Sequence, residues 1–453
     1  MGTMFDCALT GSIYGHAMMQ EIFGDRQRLQ KWLDVEAALA EAQAAVGVIP
    51  ASAAEAISRA GVADDFDLEA LGAGVEGGRR HIMYTVIQAL ADRVGPDAGR
   101  YVHYGATTQD ILDTGMILQL KDGLKVLTGE LDRLCETVAQ LATEHRETVM
   151  AGRTHWQHAL PLTLGLKLSI VLDELMRHRQ RLADAAELAL VVQLYGGGGT
   201  MASLGDQAFE IEERVCASLS LGRPTSPWFA SRDRTVGVVS ALGMLAATLE
   251  RTVLTVGRLA ATEIQELAEP RRQGQVGSST MPQKRNPVQT ERTAAICKLI
   301  RGLVPVAQES AVIEHDRDMS TFMAEWFVIP QIMIMSAGAV EKTNYILSGM
   351  TVDAERMVEN LALTKGGIVS EAAMFGIARH VGRMTAHDIV MRAAQRSAET
   401  GGTLFDALLA DDTVREHLTR EELRALLEPS NYLGQAIPIT DSVVQSYARS
   451  VGR

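Results

Sequence analysis

One segment of the chain, Gly277 to Pro287, carries the residue types best suited to catalysis. It contains two adjacent serines, Ser278 and Ser279, followed by the cations Lys284 and Arg285 and an amide. Glycine allows the segment to bend, and its two prolines hold the polar part in a defined loop. Hydroxyl, amide and cationic groups gathered in one loop would surround an anion. The simpler interpretation is a polar surface turn.

A second segment, Tyr101 to Asp110, brings two hydroxyl groups to the start of a predicted helix. Thr107 and Thr108 would stand beside the free N–H groups of the first helical turn, where negative charge is stabilised. The segment therefore predicts a carboxylate-binding site or, equally well, an ordinary helix cap.

A third segment, Gly152 to Pro161, contains two histidines, His155 and His158. A histidine titrates near neutral pH and so suits proton donation to a leaving group. Two histidines three positions apart also suit a metal, but no further ligand motif accompanies them, and we expect no metal. A structural role for each histidine is the remaining alternative.

His81 follows Arg79 and Arg80, which form either an anion site or a solvated basic turn. Two other segments favour structural roles. The tetraglycine at 196–199 lacks the lysine of a phosphate-binding loop and predicts a bend with a close approach of the backbone. The charged run Glu314 to Asp318 predicts a solvated surface, although it also suits the border of a pocket.

Helices must position these groups, because nearly every long segment has helical periodicity. The 453-residue chain is 47% hydrophobic but only 5% aromatic, a composition typical of helix-rich proteins with a large core. Apolar residues recur at three- and four-residue spacing in Lys125 to Met150, Leu162 to Val192, Val236 to Glu269 and Gln289 to Glu309. We predict an all-α fold with a long central bundle at residues 111–350 and smaller helical domains at residues 1–110 and 351–453.

Charge and cysteine content restrict the function classes. A net charge of −13 excludes non-specific binding to nucleic acids or anionic membranes. The four cysteines are widely spaced and form no CxxC motif, which predicts free thiols and a cytoplasmic location. The longest uncharged apolar runs, Thr235 to Leu249 and Trp326 to Val340, are too short to span a bilayer and predict buried helices. Apolar residues on more than one face of the long helices predict contacts with further subunits.

The polar segments stand in the order found in the aspartase/fumarase superfamily, which this chain resembles over nearly its whole length. The loop pattern of that superfamily is Gly-Ser-Ser, one residue, Met-Pro, one residue, Lys, one residue, Asn-Pro. Gly277 to Pro287 matches it at all eight fixed positions. Residues 21–40 and Tyr101 to Asp110 resemble the branch that contains adenylosuccinate lyase and bacterial 3-carboxy-cis,cis-muconate cycloisomerase.

Within this branch the sequence resembles both enzymes. His155, Glu291 and His81 match active-site positions of adenylosuccinate lyases. Ala324 to Trp326 and Asn431 to Gly434 resemble the cycloisomerase instead.

The resemblance implies a mechanism in which a serine removes a proton from a carbon next to a carboxylate. Ser278, with Ser279 beside it, would be the base. His155, held by Glu291, would protonate the leaving nitrogen.

The implied intermediate is an aci-carboxylate, which carries two negative charges on one carboxyl group and needs preorganised donors. The start of the helix after Pro287 would add positive potential. The donors implied for this intermediate are Lys284, Asn286, Thr107 and Thr108. The further predicted substrate contacts are His81, Arg80, Gln157 and Arg232.

We therefore predict a cytoplasmic, homotetrameric lyase whose sites are shared between subunits. It would cleave a C–N bond of a succinyl-type dicarboxylate, release fumarate and need no cofactor. Residues 5–8 replace the Arg-Tyr pair with which adenylosuccinate lyases hold AMP, which disfavours a nucleotide substrate. The alternatives are a lactonizing 3-carboxy-cis,cis-muconate cycloisomerase and, after it, an adenylosuccinate lyase or a non-catalytic helical structural protein.

Overall fold

The computed structural model describes residues 4–5, 7–75, 81–271, 280–281 and 283–452. Helices make up 71% of the structure, which confirms the predicted all-α fold. The strands within the described ranges are short and form two two-stranded sheets. Active-site groups must therefore be presented by helix ends and by the segments that join helices.

The N-terminal region consists of short helices around one long helix. Its elements are α1 (Gly11–Tyr14), α2 (Ala17–Ile22), α3 (Asp25–Ala45), α4 (Ala51–Ala60), α5 (Leu68–Val75), α6 (Ile82–Val94) and α7 (Pro96–Gly99). Helix α3 is rich in Ala, Leu, Glu and Gln, all of which favour helix. Its buried side includes Leu29, Trp32 and Leu33 and packs against α4.

The central region contains the longest helices and the short strands. Its elements are α8 (Thr108–Glu144), β1 (Val149–Thr154), β2 (Gln157–Thr163), α9 (Leu164–Ala189), α10 (Ala208–Leu219), α11 (Asp233–Leu259), β3 (Leu267–Ala268), α12 (Val288–Glu309), α13 (Met319–Ser348) and β4 (Thr351–Val352). Strands β1 and β2 form an antiparallel hairpin, and β3 pairs with β4.

The helix boundaries differ from the predicted ones near the candidate site. The segment predicted as helix from Lys125 to Met150 ends at Glu144, and Met150 belongs to β1. Helix α11 ends at Leu259 instead of continuing toward 269, and Gln265 has a φ of +56°, which an α-helix does not accommodate. In both places apolar spacing continues after the backbone leaves the helix, so spacing alone set the predicted end too late.

The C-terminal region packs short helices around a compact apolar core. Its helices are α14 (Ala354–Leu361), α15 (Ser370–Val381), α16 (Arg383–Thr400), α17 (Leu404–Leu409), α18 (Asp412–His417), α19 (Arg420–Leu426) and α20 (Ala436–Ser450). The core includes Ile377, Ile389, Leu404, Leu408 and Leu423. Short 3₁₀ turns lie at Ala63–Asp65, Ala202–Gln207, Ala362–Thr364, Gly367–Val369 and Pro429–Asn431.

The chain divides into two compact units. The first comprises residues 1–132, 178–250 and 292–342, and the second comprises residues 133–177, 251–291 and 343–453. The first unit contains the segment around Thr107, and the second contains the β1–β2 hairpin and the end of the loop that leads into α12. The domain boundaries expected at 110 and 350 stay a prediction.

Two helices are long and apolar enough to cross a membrane if length and composition are the only criteria. They are α11, with 27 residues, and the 26-residue part Met323–Ser348 of α13. The uncharged runs Thr235 to Leu249 and Trp326 to Val340 are shorter than the helices that contain them. The length of the runs is therefore no argument against a membrane span. Of the residues in their most apolar windows, 67% and 72% are buried within the protein, in agreement with the expected interior position.

A buried ion cluster in the first unit joins α8 to the start of α11 and to α13. The side chain of Arg232, 3% exposed, donates to Asp113 at 2.9 and 3.1 Å. Its Nε atom donates to both oxygens of Glu325 at 3.1 and 3.2 Å, and the Trp228 ring lies 4.7 Å from the guanidinium. Burial alone would lower the pKa of Arg232, but the two carboxylates raise it above the usual range. These contacts favour a structural role, and substrate binding by Arg232 stays a prediction.

Asp110 is the second buried anchor of this unit. Its carboxylate accepts hydrogen bonds from the backbone N–H groups of Thr107, Tyr195 and Gly196 at 2.9, 2.9 and 3.0 Å. Gly196 has a φ of +71°, so the tetraglycine forms a bend whose first residue needs glycine's conformational freedom. Burial raises the pKa of Asp110 to about 6, although the three N–H groups oppose the rise.

We predict that Arg232→Met destabilises the protein far more than the same change at the surface. The substitution leaves two buried carboxylates without a cation, which typically costs about 3–5 kcal/mol. Arg214→Met is the matched control, because its ion pair with Glu210 is exposed and such a pair contributes about 0.3–0.5 kcal/mol. Denaturant unfolding followed by circular dichroism measures both losses. Two equally small losses would contradict the structural role.

The pH dependence of stability should report the burial of Asp110. Its pKa rises from an ordinary 3.8 to about 6 on folding, so the native state binds the proton more tightly than the unfolded state. The stability that this group contributes is complete below about pH 4 and is lost as the pH rises through about 6. Between pH 4 and pH 7, the unfolding free energy of the wild type should fall by about 2 kcal/mol relative to that of Asp110→Asn. A difference independent of pH would show that Asp110 has the same pKa in both states.

Candidate active site

His155 lies at the tip of the β1–β2 hairpin. Thr154 pairs with Gln157, so the turn contains only His155 and Trp156. Their φ angles are +50° and +68°, and two positive φ angles are the signature of the type I′ turn that matches the twist of a hairpin. Histidine adopts this left-handed conformation more readily than most residues, whereas tryptophan does so rarely. The turn therefore places the His155 imidazole in solvent, on a short and defined support.

A buried ion pair anchors the base of this hairpin. Arg153 donates from Nη1 to Glu266 Oε2 at 2.9 Å, and its Nη2 atom also contacts this carboxylate. Glu266 is fully buried and accepts a further hydrogen bond of 2.8 Å from the Asn360 side chain. Because Arg153 stands two residues before His155, the ion pair restrains the turn that carries the candidate acid.

The two hairpin histidines have different environments. His158 pairs with Arg153 across the strands and is half-buried. Burial lowers the pKa of His158, and the positive charge of Arg153 lowers it further. A neutral histidine is a poor proton donor, so His158 is a weak candidate for the acid. In the described ranges no three His, Cys, Asp or Glu side chains form a possible metal site, and the expectation of no metal stays an expectation.

The loop predicted to carry the base is described only in part. Ser278 and Ser279 lie outside the described residues. The backbone N–H of Lys284 donates to Met281 at 3.0 Å, the Lys284 side chain is exposed, and Asn286 is half-exposed just before α12. Both side chains thus stand at the end of the loop, next to the helix start, as the sequence predicts for an anion-binding segment.

The start of α12 already has an anionic partner. The carboxylate of Glu269 accepts from the backbone N–H groups of Gln289 and Thr290 at 3.1 and 3.0 Å. From the sequence, the positive potential of this helix start is expected to stabilise the reaction intermediate. Glu269 uses part of that potential and links the segment after β3 to the start of α12. The side chains of Lys284 and Asn286 are therefore the stronger candidates for binding an anion.

His155 and Glu291 do not form the expected pair within this unit. Glu291 lies in the first turn of α12 and is exposed, as is His155. Among the residues described, no hydrogen bond or ion pair joins the two side chains. Both remain available for a partner.

Of the other predicted contacts, Gln157 lies at the start of β2 in the second unit and is exposed, and the rest belong to the first unit. Thr107 and Thr108 are half-buried at the start of α8, and the Thr107 N–H is already bonded to Asp110. His81 caps α6, because its Nδ1 atom accepts from the N–H of Met83 at 3.3 Å. Arg80 lies outside the described residues.

Sequence reasoning missed Arg317, which contacts the predicted carboxylate site. Its Nη1 atom lies 3.3 Å from the Thr107 hydroxyl, and its Nη2 atom donates to the carbonyl of Gly197 at 3.0 Å. The Phe229 ring lies 4.6 Å from the guanidinium. The run from 314 to 318 is thus solvated only at residues 314–316, while Arg317 is half-buried. The sequence of charges from 314 to 318 does not distinguish Arg317 from its solvated neighbours.

A histidine–carboxylate pair was also missed. The Nδ1 atom of His103 lies 2.7 Å from Glu36, whose side chain is almost fully buried. Burial would lower the pKa of His103, but the hydrogen bond and charge of Glu36 outweigh it and raise the pKa. One signal was available, because a glutamate among the apolar residues of α3 needs a partner.

Comparison with known proteins places this chain in a family. Residues 15–302 match the family model described as Lyase, and residues 366–443 match the one described as Adenylosuccinate lyase C-terminus. The chain is 41% identical to 3-carboxy-cis,cis-muconate cycloisomerase of Pseudomonas aeruginosa, over 93% of this chain and 92% of that protein. It is 35% identical to N-acetyl-S-(2-succino)cysteine lyase of Dickeya dadantii, over 99% and 98%.

The fold agrees with these relationships. The solved 3-carboxy-cis,cis-muconate lactonizing enzyme of Pseudomonas putida superimposes with a TM-score of 0.92 and 38% identity, covering 97% of this chain and 99% of that one. Family models, relatives and fold all confirm the resemblance inferred from the loop. The chain belongs to the aspartase/fumarase superfamily and is an enzyme of its lyase and cycloisomerase group.

Proposed function

We propose that this enzyme cleaves the C–N bond of an N-substituted aspartate and releases fumarate and an amine. The observation that carries the proposal is the position of His155, an exposed imidazole on a hairpin turn anchored by a buried ion pair. A nitrogen that is uncharged in the reacting substrate must gain a proton as it departs, and a histidine held in this way suits that task. Closing a lactone requires no such protonation of nitrogen.

The proposed reaction is a β-elimination. Ser278 removes a proton from the carbon next to one carboxylate, and the electron pair forms the aci-carboxylate. The pair then forms the carbon–carbon double bond, the C–N bond breaks, and the nitrogen takes a proton from His155. The products are fumarate and the free amine, and proton transfer restores both residues for the next cycle.

The dicarboxylate half of the substrate would be bound by cations and hydroxyl groups. Lys284 and Asn286 stand at the end of the loop, and Thr107 and Thr108 stand at the start of α8. The contact between Arg317 and the Thr107 hydroxyl supports anion binding at α8, because it adds positive charge there. His81, Arg80 and Gln157 are proposed as further contacts.

We also propose a homotetramer with sites shared between subunits. Large apolar side chains remain exposed on α9, α11, α12 and α13, including Ile170, Met244, Leu299 and Phe327. We infer that they form contacts with other subunits, since contiguous exposed apolar surface marks protein–protein contacts. The separation of His155 from Glu291 agrees with a site that a second chain completes. A stable and fully active monomer in light scattering would rule this out. A cytoplasmic location stays a prediction.

A lactonizing cycloisomerase is the second candidate, because a relative with that name is 41% identical. A panel assay separates the candidates. It contains N-substituted aspartates, adenylosuccinate, an S-succinyl thiol and 3-carboxy-cis,cis-muconate, and fumarate release and muconate loss are followed by absorbance. The thiol is included because a relative is named N-acetyl-S-(2-succino)cysteine lyase. Efficient conversion of carboxymuconate without any fumarate release would favour the cycloisomerase.

We predict that Ser278→Ala reduces kcat by at least about 10²-fold, since general-base catalysis typically contributes about 10²–10⁴-fold. Substrate affinity in calorimetry and the melting temperature should change little. Ser279→Ala is the matched control and should lose less. A variant at 278 that keeps more than about a tenth of wild-type kcat would place the base elsewhere.

We predict that His155→Asn reduces kcat for C–N cleavage by about 10²–10⁴-fold while preserving the fold. Asparagine accepts the left-handed conformation of this turn but donates no proton at neutral pH. His155→Trp should remove C–N cleavage as well, whereas His158→Asn, in the same hairpin, should reduce kcat by less than about 10-fold.

The pH–rate profile provides the control for the assignment of the acid. His155→Asn should remove one limb of the profile, and Glu291→Gln should shift that limb, because a carboxylate partner raises the pKa of a histidine. Unchanged turnover in His155→Asn, together with conversion of carboxymuconate, would make His155 a structural residue.

A further inference from the structure

Trp156 and Arg258 form a contact beside the proposed acid that the mechanism does not use. Trp156 is the second residue of the hairpin turn, next to His155, and its side chain is 79% exposed. The guanidinium of Arg258, in the last turn of α11, lies 4.8 Å from the centre of the Trp156 ring. This cation–π contact holds a positive charge next to the turn that carries the acid.

Arg258 has no acidic partner in the part of the second unit that the structure describes. The undescribed residues 272–279 contain no aspartate or glutamate in the sequence, so they do not supply one. Arg153, on the same hairpin, is by contrast paired with the buried Glu266. Arg258 is exposed and lies against the Trp156 ring, so its charge is not neutralised by these contacts, and a carboxylate has the two-oxygen geometry that matches a guanidinium.

Trp156 is unfavourable for folding at this position. A type I′ turn prefers glycine or asparagine, and a bulky residue with a φ of +68° is an outlier. Its ring is mostly exposed, so burial does not compensate for the strain. Strain that the fold does not require is found preferentially at functional sites.

We propose that Trp156 and Arg258 form the subsite for the leaving group, in which Arg258 binds a carboxylate of the departing amine. This inference rests on the proposed C–N lyase function. It narrows the substrate class to aspartates whose nitrogen carries a carboxylate-bearing group, so that the amine released is itself an amino acid. The dicarboxylate half of the substrate would be bound by the side chains proposed for it above. The leaving half would be bound at the hairpin tip, beside the histidine that protonates its nitrogen.

Two substrates that differ in one carboxylate test the subsite. N-(carboxymethyl)aspartate carries a carboxylate on its leaving amine, and N-ethylaspartate does not. The wild type should have a kcat/KM about 10–100-fold higher for the first, the range expected for one charge-assisted hydrogen-bonded pair. Arg258→Gln should remove this preference and leave kcat/KM for N-ethylaspartate within a few-fold of the wild type.

The matched control is Arg251→Gln, on the same helix. Arg251 is exposed and paired with Glu174, so its loss should leave the preference unchanged. Trp156→Gly should also remove the preference, since the guanidinium loses its support, and the melting temperature should equal or exceed that of the wild type, because glycine suits the turn. Trp156→Phe, which retains an aromatic face, should keep most of the preference.

Binding measured without turnover provides an independent readout. In a Ser278→Ala background, calorimetry should give a lower affinity for N-(carboxymethyl)aspartate when Arg258→Gln is added, and an unchanged affinity for N-ethylaspartate.

The outcomes separate this inference from the proposed function. A wild type that cleaves both aspartates equally, with no effect of Arg258→Gln, would overturn the subsite and leave the lyase function intact. A wild type that cleaves neither and converts carboxymuconate would overturn the function and the subsite together. Equal losses on both substrates in Trp156→Gly would show that the ring only positions His155. If light scattering gave a smaller oligomer for both Arg258→Gln and Trp156→Gly than for the wild type, the contact between Trp156 and Arg258 would serve subunit association. Each of these last two results would overturn the subsite.

Discussion

The buried carboxylate of Glu266 is the constraint on which the second unit's candidate site depends. It binds Arg153 at the base of the hairpin and Asn360 of α14. The next two residues form β3 and pair with β4, and Glu269 then caps the start of α12. Four consecutive residues thus hold the hairpin that carries His155 and link β3 to the start of α12. A buried charge that lost Arg153 would remain unpaired in the interior, so the fold strongly resists separating these elements.

The four arginines near the two candidate sites have two kinds of environment. Arg153 and Arg232 are bound to buried carboxylates, which fixes their position and consumes their charge. Arg258 and Arg317 lie against the rings of Trp156 and Phe229, as Arg232 does against Trp228, but no carboxylate of the described residues pairs with either of them, and an aromatic ring orients a guanidinium without neutralising it. In a chain with a net charge of −13, cations of the second kind are well suited to an anionic substrate.

The sequence was most informative where a local pattern determines structure. Helical spacing identified the all-α class, and the loop from 277 to 287 identified the family, because each depends on neighbouring residues. Helix ends and the β1–β2 hairpin were missed, since apolar spacing continues through them and a His-Trp turn lacks the usual glycine. Arg317 and the pair of His103 with Glu36 were missed because each links segments far apart in the chain. The roles of Ser278 and His155 stay predictions that only kinetics can test.

The position of His155 on a hairpin has a consequence for how specificity can change in such a fold. A helix fixes every backbone angle and buries one face, so replacing a side chain beside a helical acid disturbs packing. In a two-residue turn the neighbouring side chain points into solvent, as the exposure of Trp156 shows. The φ of +68° at this position favours glycine or asparagine, but a change of the side chain there does not touch the ion pair of Arg153 with Glu266 that holds the turn. In the proposed subsite, the preference for a leaving group would therefore change with residue 156 while the side chains proposed to bind the dicarboxylate half stay the same.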